Sequence, residues 1–212
     1  MTESIKNIPQ FSVSMDIDLS TIIASRDNLV NEDKDGKEKA PSFTAILIRQ
    51  LALLLKAFPL CNSSFVEGRI RLFNKINVGV AVGTDLGLYV PVIKDADLKT
   101  IFTIAQELNV FQEKAKNQHF SEKDLTDGTF TLSNLGMYGI DRFNAIINPP
   151  QSAILAVGQI KNVLVGISGN EAMIRPIASF TLTADHRVMD GLYAANFLKT
   201  LKDKFKMWQI GD

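Results

Sequence analysis

The apolar segment from Ala45 to Leu55 constrains the fold more than any other part of this sequence. It is interrupted by Arg49 and Gln50 and is far too short to cross a bilayer, so it predicts no membrane span. Ser42 is a favourable N-cap, and we therefore predict a largely buried helix that ends before Pro59. The 212 residues, 46% of them hydrophobic, are enough to bury it in one compact domain.

The charge balance and cysteine content exclude several classes of protein. Lys plus Arg equals Asp plus Glu at 23 each, so no net basic field exists to hold nucleic acid. Cys61 is the only cysteine, which rules out an intramolecular disulfide framework and a cysteine-rich metal site. The first residues after Met1 do not form a secretory signal. We therefore expect a cytoplasmic protein.

Short β-branched runs alternate with amphipathic helical segments along the chain, which predicts one mixed α/β domain over residues 1–212. The predicted strands are Gln10–Ile17, Ile76–Val82, Leu88–Ile93, Thr129–Leu135, Ala153–Val157, Val163–Ile167 and Ile177–Thr183. Further helices are predicted at Leu19–Val30, at Leu98 to about Lys116 with Ile101, Ala105, Leu108 and Ala115 near one face, and from Asp190 to the end, with Ala194, Phe197, Leu198, Leu201 and Phe205 inside. The charged segment Asn31–Ala40 predicts an exposed, mobile loop.

Of the two histidines, only His186 is a candidate for chemistry. His119 lies among polar residues at a helix end, which is typical of a solvated surface residue. His186 stands between an apolar strand and the last helix, where an imidazole could act as a general base. Alternatively, Asp185, His186, Arg187 and Asp190 form a polar network that ties the strand to the helix. The spacing alone leaves both interpretations open.

Ser133 is the second candidate, because it ends a strand and precedes turn residues. Its hydroxyl could face a cleft, but the spacing by itself favours an ordinary turn serine. The nucleophile-elbow frame Gly-x-Ser-x-Gly is absent, as are the phosphate-binding loop and the dinucleotide-binding glycine pattern. The sequence therefore lacks the signatures of an α/β-hydrolase nucleophile, of a phosphate-binding loop and of a dinucleotide-binding site.

Together these stretches resemble the acyltransferase (E2) components of 2-oxoacid dehydrogenase complexes. The run Asp185 to Gly191 matches the family motif Asp-His-Arg-x-x-Asp-Gly without departure. Further matches, in the family's order, are Ile8–Phe11, Gly79–Val82 with Gly87–Leu88 and Pro91–Val92, Thr129–Gly139 and Ala145–Gln151. The resemblance implies a chloramphenicol-acetyltransferase-like fold, a trimer, and an active site in a channel between subunits.

The resemblance also implies roles for individual residues. His186 would deprotonate coenzyme A, and Ser133 of a neighbouring subunit would stabilise the oxyanion. Asp190 would orient the loop or assist proton transfer, and Asp185 and Arg187 would be structural. The positions that resemble the family's coenzyme A channel are Arg26, Ser42, Gln112, Ser133 and Asn134. No metal is implied, and Gly83 replaces an acidic residue of some relatives, which leaves part of the cofactor site in doubt.

The resemblance further implies partners: a lipoyl domain, the E1 and E3 components, and a trimer that can assemble into a cube-like (24-mer) or icosahedral (60-mer) core. The family's lipoyl and peripheral-subunit-binding domains and its basic arm do not precede Ile8 here, so we expect either a truncated chain or a lipoyl group carried by another chain. The stretches Gly136–Ile140 and Ala145–Asn148 look like acetyl-transferring members. Two alternatives stay open: a stand-alone coenzyme A-dependent acetyltransferase for a small acceptor, and a non-catalytic scaffold core. Apolar residues near the end, Met207, Trp208 and Ile210, would either insert into another trimer or pack on their own helix.

Overall fold

A computed structural model describes residues 2–32, 40–84, 87–168 and 171–208. The helices are α1 (Thr2–Asn7), α2 (Ser20–Glu32), α3 (Phe43–Ala57), α4 (Ile101–Lys116), α5 (Glu122–Leu125) and α6 (Gly191–Met207). The strands are β1 (Gln10–Asp18), β2 (Ser63–Val66), β3 (Arg69–Leu72), β4 (Val78–Val80), β5 (Val82–Thr84), β6 (Gly87–Tyr89), β7 (Val92–Ile93), β8 (Phe130–Asn134), β9 (Ala153–Val157), β10 (Lys161–Gly166) and β11 (Ala172–Asp185). No described helix has the length and apolarity to cross a membrane.

The centre of the structure is a seven-stranded mixed sheet in the order β1-β11-β9-β8-β4-β7, with β10 paired to β11 outside this path. Strand β8 is parallel to both β4 and β9, while β1 and β9 are antiparallel to β11. Two further hairpins, β2-β3 and β5-β6, are separate from the main sheet. The predicted mixed α/β architecture is therefore confirmed.

The sheet is asymmetric, because alternate residues of each strand face opposite sides. On the side of the helices the strands carry apolar residues. There Phe130 contacts Phe197 of α6, and Phe180 contacts Phe205 of the same helix. On the other side β1 and β11 carry hydroxyl groups that pair across the strands. The pairs are Ser12 with Thr183 at 2.9 Å and Ser14 with Thr181 at 2.8 Å.

Helices α3 and α6 form as the sequence predicts. Helix α3 begins after Ser42, whose Oγ accepts a hydrogen bond from the N–H of Ala45, and it ends two residues before Pro59. Nine of its fifteen residues are buried, since apolar side chains surround most of the helix. The inner face of α6 consists of the five residues expected from its periodicity. Both helices thus cover one face of the sheet.

Some predicted elements differ from the structure. The predicted strands Ile76–Val82 and Leu88–Ile93 are each divided, because β4 and β7 join the main sheet while β5 and β6 form a separate hairpin. The buried residues of α4 are Ile104, Leu108 and Phe111, so Leu108 is buried as predicted, and Ile101 and Ala105 are partly buried against the core. The β2-β3 hairpin was not predicted. The predicted mobile loop lies mostly outside the described residues, as do Ile210 and the middle of the turn between Thr84 and Gly87.

Candidate active site

A tight turn joins β11 to α6 and carries His186. The carbonyl oxygen of Asp185 accepts hydrogen bonds from the N–H groups of Val188 and Met189, at 3.0 and 3.1 Å. Val188 and Met189 are buried in the core, whereas the His186 and Arg187 side chains are exposed. The turn is therefore anchored by its apolar residues and presents the imidazole outward.

An ion pair joins Asp185 and Arg187, the residues on either side of His186. The Asp185 carboxylate is buried, and the Arg187 guanidinium donates to its two oxygens through Nε at 2.9 Å and Nη2 at 2.7 Å. The backbone N–H of Arg187 also donates to Oδ1 of Asp185, at 3.0 Å. These hydrogen bonds raise the pKa of Arg187 above its ordinary value. The polar-network interpretation is confirmed for Asp185 and Arg187.

His186 itself is fixed by residues from the start of the chain. Its backbone N–H donates to the carbonyl oxygen of Pro9 at 2.9 Å, and its imidazole lies 4.8 Å from the Phe11 ring, centroid to centroid. Phe11 and His186 are 175 positions apart in the sequence. The Ile8–Phe11 stretch and the His186 motif therefore meet in space. His119, by contrast, is exposed on the surface as predicted.

Asp190 caps α6. Its Oδ1 accepts a hydrogen bond of 2.8 Å from the N–H of Tyr193, and no described hydrogen bond joins it to His186. The Tyr193 hydroxyl in turn accepts from the N–H of Leu60 at 3.2 Å. Asp190 thus fixes the first turn of α6, and both roles expected of it, orienting the loop and assisting proton transfer, stay predictions.

Ser133 lies near the carboxyl end of β8 and is partly exposed. Phe130 and Leu132 face the helices, so Ser133 faces the other side of the sheet. The next residue, Asn134, accepts a hydrogen bond from the N–H of Gly136 at 2.9 Å. Ser133 therefore precedes a tight, hydrogen-bonded turn, and its hydroxyl makes no described hydrogen bond of its own.

Four of the five residues predicted to contact coenzyme A are gathered at this end of the sheet. Nε of Arg26 donates to the carbonyl oxygen of Pro41, beside Ser42, at 3.0 Å. The Asn134 amide lies 3.5 Å from the hydroxyl of Thr44, in the first turn of α3. The fifth, Gln112, is exposed on α4, and no described hydrogen bond links it to the others.

Strand register places His186 and Ser133 at opposite ends of the sheet. Ser133 is paired with Ala156 near the carboxyl end of β9, and Thr181 of β11 is paired with the same residue. His186 lies five positions beyond Thr181, toward the amino end of β9. The two Cα atoms are therefore separated by about 16 Å along the strands and about 10 Å across them, on the order of 20 Å in all. One chain cannot bring these side chains into contact.

Sequence reasoning did not find the cavity of about 890 Å³ at the amino ends of β4 and β8. Lys75, Lys94, Asp127 and Gln151 are among its lining residues, and neither His186 nor Ser133 is. A smaller cavity, about 290 Å³, lies beside Asn134 and the first residue of α3. Within the described ranges, no group of three or more His, Cys, Asp or Glu side chains is close enough to hold a metal ion.

Solved structures first define the class of fold. The chain superimposes on chloramphenicol acetyltransferase with a TM-score of 0.53 at 16% identity, covering 92% of this chain and 88% of the other, which confirms the predicted fold. A probable dihydrolipoamide acetyltransferase from Listeria monocytogenes gives a TM-score of 0.92 at 32% identity, covering 100% and 90%. The dihydrolipoamide acetyltransferase of Azotobacter vinelandii gives 0.90 at 30%, covering 96% and 84%. In the latter, the roles of a serine, a histidine and an asparagine in the catalytic mechanism have been investigated, the last two four positions apart.

Sequence comparison then defines the family. Residues 1–209 match the model of the 2-oxoacid dehydrogenases acyltransferase catalytic domain, and the chain belongs to this family. Component 2 of the mitochondrial pyruvate dehydrogenase complex of Arabidopsis thaliana, a dihydrolipoyllysine-residue acetyltransferase, is 40% identical over 199 residues, or 93% of this chain. The chain spans 37% of the length of that relative.

Proposed function

We propose that this chain is an acyltransferase core that moves an acetyl group between dihydrolipoamide and coenzyme A. Relatives named dihydrolipoyllysine-residue acetyltransferase, at 40% identity over 93% of the chain, support both the reaction and the choice of acetyl. The lipoyl group reaches the site from another domain or chain, and coenzyme A is a substrate. The location in the cytoplasm stays a prediction.

The separation of His186 from Ser133 is the observation that carries the proposal. Each chain presents an imidazole at one end of its sheet and a hydroxyl at the other, on the order of 20 Å apart. In the trimer that the family resemblance implies, a head-to-tail ring would place one end of a chain against the other end of its neighbour. A trimer therefore supplies three sites, each with His186 of one subunit and Ser133 of the next.

In the reaction, His186 accepts the proton of the coenzyme A thiol. We take the intrinsic pKa of that thiol as similar to cysteine, about 8.5, so little thiolate exists at neutral pH without a base. The thiolate forms a carbon–sulfur bond at the thioester carbonyl of acetyl-dihydrolipoamide. Collapse of the tetrahedral intermediate breaks the other carbon–sulfur bond, and the imidazolium returns its proton to the departing dihydrolipoamide sulfur.

The Ser133 hydroxyl of the neighbouring subunit donates a hydrogen bond to the developing oxyanion. One such donor typically contributes about 3 to 4 kcal/mol to stabilisation of the transition state. Asp190 holds the turn that carries His186, through its cap on α6. It lies four positions after His186, the spacing found between the histidine and the asparagine studied in Azotobacter vinelandii.

Coenzyme A binds near the start of α3 in this proposal. Arg26, Ser42 and Asn134 lie in one region there, and the guanidinium of Arg26 suits a phosphate group. The amino end of α3 adds a partial positive charge to the same region. Gln112 would contact a more distant part of the cofactor. The partners proposed are a lipoyl domain and the E1 and E3 components, with trimers assembled into a cubic or icosahedral core.

A comparison of two acetyl acceptors tests the proposal. Acetyl-coenzyme A and dihydrolipoamide are incubated with the chain, and acetyl-dihydrolipoamide is measured beside a small alcohol acceptor. We expect transfer to dihydrolipoamide, and His186→Ala should lower it by at least about 100-fold while the oligomer persists. Acetylation of the alcohol alone would establish the stand-alone acetyltransferase instead. Unchanged turnover in His186→Ala would favour the scaffold.

A further inference from the structure

Arg187 is held on two sides by residues that have no direct role in the proposed reaction. Its guanidinium makes a bidentate contact with Asp185, and its central carbon lies 4.5 Å from the centroid of the Phe65 ring. Phe65 belongs to β2, an element of the hairpin outside the main sheet. The β2-β3 hairpin therefore contacts the turn that carries His186 through Phe65 and the Arg187 guanidinium over its ring.

The burial of Asp185 explains why Arg187 stays in this position. The Asp185 side chain is only 2% exposed, and an ionised carboxylate in such a place is stable only when charges and hydrogen bonds compensate it. Arg187 provides both, and the ring of Phe65 covers one face of the guanidinium. Release of Arg187 to bind another anion would leave the carboxylate buried without a counter-ion.

The same contacts constrain the residue between them. Asp185 is fixed at the end of β11, and Arg187 is fixed to it through its backbone N–H and its side chain. His186 lies between these two anchored residues, so its backbone has little freedom to rotate. Its side chain then leaves the turn in one direction, toward the Phe11 ring.

An exposed arginine beside an active site has two possible roles, and the geometry separates them. A coenzyme A-binding arginine needs its planar fork free for a phosphate, as in bidentate recognition. Here Nε and Nη2 are both engaged by Asp185. We infer that Arg187, held between Asp185 and Phe65, is a positioning residue that fixes the direction of the His186 imidazole and does not bind cofactor; this inference rests on the proposed function.

The test uses three variants in the full oligomer. Arg187→Lys keeps the charge but loses the fork, and Phe65→Leu keeps apolar volume but loses the ring face. Arg69→Lys is the matched control, because Arg69 is exposed on the same hairpin. Initial rates of acetyl transfer give kcat and the KM for coenzyme A. Thermal unfolding and a crystal structure of Arg187→Lys complete the set.

We expect Arg187→Lys to lower kcat about 10-fold and Phe65→Leu to lower it about 3-fold, with the KM for coenzyme A within about twofold of wild type. The control should match wild type. In the crystal structure of Arg187→Lys the imidazole should no longer lie 4.8 Å from the Phe11 ring. This combination would support a positioning role.

Two results would overturn the inference. A rise of about 10-fold in the KM for coenzyme A at unchanged kcat would make Arg187 a cofactor-binding group. A lowered unfolding temperature with unchanged kcat, KM and imidazole position would make the contact purely structural. The proposed function fails separately: His186→Ala with normal turnover would refute it whatever Arg187 does, whereas an inactive His186→Ala beside a normal Arg187→Lys refutes only this inference.

Discussion

The carboxylate of Asp190 accepts a hydrogen bond of 2.8 Å from the backbone N–H of Tyr193 and so caps α6 immediately after the turn that carries His186. The cap stabilises the first turn of the helix, and it sets the start of α6 relative to β11. Asp190, whose place in the motif resembles that of a catalytic group, thus also stabilises the amino end of α6.

Asp190→Asn and Asp190→Ala separate these two tasks. The asparagine oxygen can accept the same hydrogen bond, so Asp190→Asn should keep both stability and most of the turnover, whereas Asp190→Ala should lose about 1 kcal/mol of stability. Denaturant unfolding and acetyl-transfer rates on both variants provide the measurement. Loss of turnover in a stable Asp190→Asn variant would show that the carboxylate takes part in proton transfer.

Mixed oligomers test whether the active site is shared between subunits. Ser133→Ala and His186→Ala are each expected to be poorly active, but a trimer containing both variants has one interface where an intact His186 meets an intact Ser133. Co-refolding equal amounts at random should restore about a quarter of the wild-type activity, because about three quarters of the trimers are mixed and one site in three is intact. No recovery, in samples shown by mass spectrometry to be mixed, would mean that the two residues do not act across a subunit boundary.

Gly158 is expected to tolerate no side chain. A Cβ atom added there would lie 2.0 Å from the carbonyl oxygen of Asp141, a backbone atom that cannot move alone. Gly158→Ala should therefore lower stability by about 3 kcal/mol, measured as a shift of the unfolding midpoint. Gly166→Ala is the control, because a Cβ at Gly166 would meet no atom within 4 Å. Equal midpoints for the two variants would contradict the close approach.

Asp124 should make stability depend on acidic pH. Burial by itself raises the pKa of Asp124, but hydrogen bonds from Lys114 at 2.8 Å and from Ser121 outweigh it, and the pKa is lowered overall. The contribution of Asp124 is therefore complete above its unfolded pKa of about 3.9 and is lost as pH falls through the lower, folded value.

Asp124→Asn measures this contribution. At neutral pH the variant should unfold at a lower temperature than wild type, and the difference should shrink as pH falls through the lowered pKa of the folded wild-type carboxylate, which then becomes protonated. Glu122→Gln, an exposed neighbour in the same short helix, is the control. A difference that stays constant from neutral to acidic pH would exclude the ion pair as its source.

Cys61 should be unreactive in the native protein. The thiol is fully buried against Met189, and burial raises its pKa well above the ordinary value. A disulfide reagent at pH 8 should therefore titrate no thiol in the folded chain and one per chain in denaturant, since Cys61 is the only cysteine. Rapid modification without denaturant would show that this part of the core opens readily.

Local patterns were sufficient wherever one residue and its near neighbours decide the conformation. Ser42 caps α3 as predicted, and the spacing of Ala194, Phe197 and Leu201 identified the inner face of α6. The alternation from Gln10 predicted β1 almost to its last residue. In each case a hydrogen bond to the next turn, or a period of 2 or 3.6 residues, carries the information.

The same reasoning was insufficient where partners are distant in sequence. In the β2-β3 hairpin the apolar residues Val66, Ile70 and Leu72 are exposed and the buried residues are Ser63 and Ser64, so no alternation of buried apolar and exposed polar residues marks its strands. On α4 the apolar residues are spread around the helix, and only packing against α3 selects Ile104, Leu108 and Phe111 as the inner face. Periodicity cannot choose between faces that are equally apolar.

The sequence by itself determined the types of the main elements, the capped helices, and, through its motifs, which residues are candidates for chemistry. Only the tertiary structure decided that Phe11 contacts His186, that Phe65 covers Arg187, and that His186 and Ser133 lie at opposite ends of one sheet. The physical reason is strand register: whether two distant residues meet or lie on the order of 20 Å apart depends on the order and direction of the strands between them, and no local spacing encodes either.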